Sequence, residues 1–282
     1  MQPRFEQAYM GWEPAPGALA VADHVPSFPA VARFPRRVVT VHFRALADAW
    51  AVKRLAPGDV QTARCEHRAG RRARLVLAYS RRVAERLRQP ATVVPIGYPA
   101  PTARLDPVEA PVAALMADWS WRPNRLSLTW LLDMWPAVRD KVPGSTLLIA
   151  GRHLDRSEVG VVPGVEVVGA VSTSSEVLAR AAVVVFPCPS SSGPKIKVIE
   201  ALSYGIPVVT TPAGVEGIFG APDAGTVVAD RHHFVPAVAS LLAEPERRAE
   251  LGSAGRERIL HHHAPLVTAS ARLEAFTQAF GA

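Results

Sequence analysis

The chain has only two cysteines among 282 residues, Cys65 and Cys188. They fall in segments read below as different domains, so neither a disulfide scaffold nor a cysteine-built zinc cluster is available. Lysine is also scarce: Lys53, Lys141, Lys195 and Lys197 are the only four among 32 basic residues. That arginine bias is something coding composition alone can produce. Long apolar runs are missing. Val183 to Phe186 and Thr146 to Ala150 fall far short of the ~20 residues needed to span a bilayer, so no transmembrane helix is expected. The N-terminus places Arg4, Glu6, Trp12 and several prolines where a signal peptide needs an uninterrupted apolar stretch. No export signal is visible, and cytoplasmic residence is expected. The motifs GxxxxGK[ST], GxGxxG and GxSxG do not occur, which removes the usual supports for ATP hydrolysis, dinucleotide redox chemistry and serine hydrolysis. Three adjacent histidines, His261, His262 and His263, cannot converge on one metal from a helix and are read as surface residues.

What is present describes a globular α/β protein. A hydrophobic content of 49% can fill the cores of two domains of ordinary size. After a proline-rich start with one possible short strand at Ala18 to Val25, apolar runs of strand length alternate with amphipathic stretches, the pattern of βαβ units around a parallel sheet. In the first half, strands are expected at Val38 to His42, Leu75 to Tyr79 and Thr92 to Ile96, with Ser80 capping a helix over Arg81 to Arg88. Four prolines between Pro99 and Pro111 suit a linker. The second half carries expected strands at Val112 to Ala117, Thr146 to Ala150, Val165 to Val168, Val183 to Pro187, Pro207 to Thr210 and Thr226 to Val228. Helices are expected at Asn124 to Arg139, Ser174 to Ala181, Lys195 to Tyr204, His233 to Leu242, Pro245 to Leu260 and Leu266 to Phe280. Six strands with interleaved helices complete a doubly wound domain. The expected organisation is a shortened N-terminal Rossmann-like domain over 1–104, a ligand-binding Rossmann-like domain over 105–264, and a helix over 265–282 packing back toward the first.

The formal net charge is +7, and the basic residues crowd one stretch: Arg64, Arg68, Arg71, Arg72, Arg74, Arg81, Arg82, Arg86 and Arg88. A solvated pair of helices accounts for this. The functional alternative is attraction to a membrane surface or to an anionic, lipid-linked molecule. Nucleic acid is disfavoured as a partner, because almost no aromatic residues are interleaved there for base stacking.

The most informative segment is Pro187 to Phe219, PCPSSSGPKIKVIEALSYGIPVVTTPAGVEGIF. A strand ends, a small polar loop containing Gly193 follows, and a helix opens near Lys195. Ligands of open α/β sheets lie beyond the carboxyl ends of the strands, and a helix N-terminus favours phosphate. Val198, Ile199 and Leu202 form an apolar face, while Lys197, Glu200 and Tyr204 recur at i, i+3 and i+7 on another. Lysine in the first turn can neutralise a diphosphate, and a carboxylate one turn later can accept from the two hydroxyls of a ribose. By spacing alone, an ordinary surface Lys197–Glu200 ion pair is the commoner arrangement.

The segment resembles the signature of family 4 retaining glycosyltransferases, specifically a subgroup reading G-x-K-x-K-x-x-E-A-x-x-x-G-x-P-V-V-x-T-x-x-G-x-E-G. Gly193, Lys195, Lys197, Glu200, Ala201, Gly205, Pro207, Val208, Val209, Thr211, Gly214, Glu216 and Gly217 carry the likeness. WSWRPN is similar to the same subgroup's W-x-P-N element through Trp121, Pro123 and Asn124, and LLIAGR (ending at Arg152) with VEVVGAV also fits. In the first half VVTVHF, LVLAYSRRVAERL and VVPIGYP resemble the closing part of the family's acceptor domain.

The resemblance implies a glycosyltransferase-B fold, two Rossmann-like domains facing across a cleft, the N-terminal one incomplete here. It implies transfer of a sugar from a UDP-, GDP- or dTDP-linked donor to an acceptor hydroxyl with retention of configuration. The acceptor would be a glycan, a lipid-linked intermediate or a small molecule, and no metal would be required; no Asp-x-Asp motif is present to hold one. Lys197, helped by Lys195, Arg122 or Arg125, would stabilise the leaving diphosphate. Glu200 would hold the ribose, and Asn124 and Arg152 would line the same site. Val171 and Ser172 would contact the base, Gly193 would let the chain approach the donor, and His42 would touch the sugar. Two departures stand out: Ser192 occupies the position where the family often has a glutamate, and the opening strand with its glycine-rich loop is not recognisable. The alternative is a non-catalytic nucleotide-sugar-binding subunit or scaffold.

Overall fold

In a computed structural model, residues 15, 17–42, 49, 57–189 and 193–281 are described. The chain divides into two units. One comprises Met1–Gly97 with Leu266–Ala282 and the short segment Ser192–Pro194, the other Tyr98–Ser191 with Lys195–Pro265.

The first unit holds a parallel sheet of four strands, β1 (Leu19–Ala22), β2 (Arg36–Val41), β3 (Leu75–Ala78) and β4 (Thr92–Val93), in that spatial order. Both faces of the central strands β2 and β3 are covered, so their cores read as apolar runs, whereas Leu19 and Val21 of the edge strand β1 stay exposed. Val39, Val41, Val76 and Ala78 point to one face and meet Phe28, Ala69 and Val83. Val38, Leu77 and Tyr79, one residue out of step, point to the other and meet Ala275. Ala271, Phe276 and Phe280 of the helix Pro265–Phe280 pack on that second face. The C-terminal helix is thus part of this unit's core. Ser80 caps the helix Arg81–Glu85 by accepting from the Val83 N–H at 3.1 Å. The strand expected to run to Ile96 stops at Val93, because Pro95 has no N–H to extend the ladder.

The second unit holds six parallel strands, β5 (Val112–Met116), β6 (Thr146–Ala150), β7 (Val165–Gly169), β8 (Val183–Phe186), β9 (Val208–Thr210) and β10 (Thr226–Val228). Their spatial order is β10-β9-β8-β5-β6-β7. The order reverses between β5 and β8, so this sheet has the doubly wound arrangement with its switch point there. Helices Arg122–Lys141, Ile196–Ser203, Phe234–Ala243 and Pro245–His262 connect and cover the strands. All four residues of β8 are buried, as expected of the centre of a doubly covered sheet.

The prolines read as a linker are bound to this second unit. Arg248 donates to the carbonyls of Val108 and Glu109 at 3.1 and 3.0 Å, and Arg256 to those of Pro101 and Thr102 at 2.8 and 3.0 Å. Arg258, 4% exposed, donates to the carbonyls of Ile218, Phe219 and Ala224. Burial of that guanidinium lowers its pKa to about 10. His263, expected at the surface, is fully buried. It follows the end of the helix, where its Nε2 accepts from the Phe219 N–H at 2.9 Å. A histidine just past a helix end is turned by the chain reversal, and helical spacing does not govern it.

Candidate functional site

Two segments leave the sheet at the switch point, one after β5 and one after β8. After β5 the chain passes Asp118 and Trp119, and Trp121 stands, without a side-chain capping bond, at the N-cap position of the helix that opens with Arg122 and Pro123. The Trp119 indole is buried and donates to the Ala150 carbonyl at 3.0 Å, which ties this turn to β6. Gly151, beside it, has φ 125°, and a Cβ there would lie 1.8 Å from the Ala117 carbonyl oxygen. Asn124 is buried, and its amide donates to the Asp118 carbonyl at 2.7 Å. That bond fixes the amide orientation and leaves Oδ1 as an acceptor.

After β8 the chain passes Cys188 and Gly193 (φ 76°) and reaches Lys195, the N-cap of the helix Ile196–Ser203. Lys195 is 5% exposed. Lys197, in the first turn, points to the β5 segment: its Nζ donates to Asn124 Oδ1 at 2.6 Å and lies 4.2 Å from the centre of the Phe186 ring. Burial strips water from the ammonium and, with Lys195 nearby, lowers its pKa to about 8; only the Cys188 thiolate would act the other way.

Glu200 takes different partners. Its Oε1 accepts from the Ser174 hydroxyl at 2.6 Å and from the Tyr98 phenol at 3.0 Å. Burial and the Glu200 carboxylate push the Tyr98 phenol above its ordinary pKa. The Lys197–Glu200 surface ion pair that spacing alone favoured is therefore not what forms. Val171 packs, half-buried, against the cluster that includes Ala114 and Leu148, and Ser172 is exposed in the turn after β7 that leads to Ser174.

The arginines divide by role. Arg125 is used within the scaffold: Nε donates to the Trp119 carbonyl at 2.6 Å, Nη2 to that of His153 at 3.2 Å, and Nη1 pairs with Glu158. Arg152 pairs loosely with Asp118 at 3.4 Å and is largely exposed. Arg122 is exposed at the first helical position. Asp118 also accepts from Ser120 and from His153 Nδ1 at 3.0 Å, bonds that hold its carboxyl well below the usual range. Sequence reasoning missed Tyr98, Ser174, Asp118 and Phe186. Nothing in their local spacing signals that Tyr98 meets a residue 102 positions away, Asp118 one 35 away, Ser174 one 26 away or Phe186 one 11 away.

His42 belongs to the first unit, just after β2. It stacks on His24 at 4.3 Å, meets Tyr79 edge-on at 4.7 Å and bonds the Asp23 carbonyl. Arg272 of the last helix pairs with Asp23 and donates to Thr40 and Tyr79 at 3.1 and 3.2 Å. Burial, His24 and Arg272 lower the His42 pKa against the opposing pull of Asp23. The nine arginines from Arg64 to Arg88 are all exposed, and Arg64, Arg68 and Arg72 fall four residues apart along the helix Pro57–Arg72. Among the described residues, no helix is long and apolar enough to cross a membrane, and no cluster of His, Cys, Asp or Glu could hold a metal ion.

Residues 111–244 match the family model described as "Glycosyl transferases group 1". No curated protein sequence matches the chain. Among solved structures, TarM from S. aureus, in complex with fondaparinux, alpha-GlcNAc-glycerol and UDP, is similar with a TM-score of 0.73 at 15% identity, over 91% of this chain and 54% of its own. Sucrose-phosphate synthase from Thermosynechococcus elongatus gives 0.74 at 17% identity, over 99% of this chain and 77% of its own. HepE from Anabaena, in complex with UDP-glucose, gives 0.67 at 15% identity, over 92% and 78%. The chain thus spans about half the length of TarM. The fold is that of the glycosyltransferase-B class, with two parallel, Rossmann-like sheets.

Proposed function

We propose that the chain is a retaining glycosyltransferase that takes a nucleoside diphosphate sugar at the β5/β8 switch point and passes the sugar to an acceptor hydroxyl. The observation that carries this reading is the Lys197 ammonium, partly desolvated and held on Asn124 in the segment after β8, one helical turn before the Glu200 carboxylate. A part-buried cation whose hydrogen-bond and ring partners, among the described residues, are the neutral Asn124 and Phe186 gains most from a ligand that brings negative charge. A diphosphate does so, and it gathers further charge as the bond from its oxygen to the sugar C1 breaks. Lys197 would stabilise that charge with Lys195 and Arg122 as helpers, so the reaction would not depend on a metal ion. Glu200 would hold the ribose, with Val171 and Ser172 beside the base. Gly193, at a φ only glycine adopts freely, would let the backbone come close to the phosphates. His42 would contact the transferred sugar. UDP is the first donor nucleotide to try, since TarM and HepE are described in complex with UDP or UDP-glucose.

Thermal melts with UDP, GDP, dTDP and ADP test the binding half of this reading: one should raise the melting temperature, and a flat screen refutes it. Catalysis is separated from mere binding by acceptor-dependent release of the nucleotide, and retention by the anomeric proton coupling of the product. A chain that binds the nucleotide but releases none with any glycan, lipid-linked or small-molecule acceptor is the non-catalytic subunit instead. We assign the exposed arginine stretch to contact with an anionic, lipid-bearing surface, because nine exposed guanidiniums in so short a span set up a local positive field.

A further inference from the structure

Glu200 is held by an arrangement that bears on which nucleotides the site accepts. Three segments distant in sequence converge on this one carboxylate. Tyr98 is fixed by its own N–H, which donates to the His263 carbonyl at 2.7 Å, and Ser174 is the N-cap of the short helix Ser175–Leu178. Glu200 lies on the helix Ile196–Ser203. Both hydroxyls donate to the same oxygen, Oε1, at 3.0 and 2.6 Å. An ionised carboxylate accepts about four hydrogen bonds, two on each oxygen. Tyr98 and Ser174 use the two on Oε1 and leave both on Oε2. The phenol of Tyr98, pushed up in pKa, stays protonated and keeps donating throughout the neutral and mildly alkaline range.

Two acceptor positions on one rigidly held oxygen match two adjacent hydroxyls, the cis-diol of a ribose. Resting on the nucleotide-sugar reading above, we infer that Tyr98 and Ser174 are positioning residues that aim Glu200 Oε2 at the ribose 2′- and 3′-hydroxyls and so make the site select ribonucleoside over 2′-deoxyribonucleoside diphosphates. On this basis the donor carries UDP, GDP or ADP, and dTDP-linked sugars are disfavoured. The selectivity comes from two sources. A 2′-deoxy ligand leaves one position on a charged oxygen unpaired, and a carboxylate already held in place gives up no rotamer freedom to bind the ribo form.

The test is calorimetric titration of the intact chain with matched pairs, UDP against 2′-deoxy-UDP, GDP against 2′-deoxy-GDP and ADP against 2′-deoxy-ADP. Wild type should prefer the ribo member of the pair it binds by about tenfold or more. In Tyr98→Phe, Ser174→Ala and the double variant, affinity for the ribo ligand should fall toward that for the deoxy ligand, which itself should change little. Ser174→Thr keeps the hydroxyl and should restore the preference. A residue that merely supports the fold would weaken both members of a pair alike, and that outcome overturns the assignment, as does equal binding of ribo and deoxy ligands by wild type. If wild type binds no nucleotide of any pair, the nucleotide reading falls and this inference with it. Binding that keeps its ribo preference in the double variant sinks only the roles of Tyr98 and Ser174.

Discussion

Lys197→Met keeps the length and apolar stem of the side chain and removes only the ammonium. In the folded protein that ammonium has a pKa of about 8 against an ordinary 10.5, the cost of burying it. A depression of that size corresponds to roughly 3 kcal/mol at ~1.4 kcal/mol per unit. The sign follows from proton binding. Below pH 8 the lysine is charged in both folded and unfolded chains, and folding bears the whole desolvation cost. Between about pH 8 and 10.5 the folded chain has released the proton while the unfolded chain keeps it, so wild-type stability rises with pH relative to the variant. The variant also loses the bond to Asn124, but methionine makes none at any pH, so that loss shifts the comparison mainly by a constant. The readable quantity is therefore the change in the wild-type minus Lys197→Met stability difference between pH 7 and pH 10.5, about 3 kcal/mol in favour of wild type at the alkaline end. Urea unfolding of both proteins across that range measures it. Nucleotide binding should show the counterpart: a diphosphate restores the proton, so wild-type affinity should fall above pH 8 by up to about tenfold per unit. A stability difference that stays flat from pH 7 to 10.5 would falsify the claim that Lys197 is desolvated, and with it the main support for an anionic ligand.

Two further outcomes are expected. Gly151→Ala puts a Cβ 1.8 Å from the Ala117 carbonyl oxygen at a φ of 125°, so it should destabilise the second unit by about 2 kcal/mol or more, read by urea unfolding; an unchanged midpoint would show that the turn after β6 yields freely. Vesicles containing anionic lipid should bind the chain with a steep loss on raising salt from 50 to 500 mM, and Arg64→Glu with Arg68→Glu and Arg72→Glu should abolish binding; salt-independent binding, or none, removes the membrane contact.

Much of the fold was present in local pattern. The runs Val112 to Met116, Thr146 to Ala150 and Val183 to Phe186 are strands because short apolar stretches bounded by Gly, Pro and polar turns have few other ways to be buried. The helix beginning after Lys195 followed from its apolar face at Val198, Ile199 and Leu202, all buried. The strand ending at Val93 and the burial of His263 were less legible. The first depends on which backbone N–H a neighbouring strand requires, and the second on where the chain turns after a helix.

The amino-acid order by itself determined which residue types stand at the start of the helix after β8, since a 3.6-residue period places Lys197 and Glu200 away from the apolar stripe whatever the rest of the chain does. It did not determine what they touch. Spacing within one helix favoured Lys197 and Glu200 as each other's partner, yet Lys197 binds Asn124, 73 residues earlier, and Glu200 binds Tyr98 and Ser174. The Lys197–Asn124 pairing exists because the sheet order reverses between β5 and β8, which brings two loops far apart in the chain to one edge, and the Glu200 pairings because the segments before β5 and after β7 also reach the helix after β8. Strand order is decided by the packing of whole layers, so the charge, the burial and the partners of the site could be read only once the tertiary structure was formed.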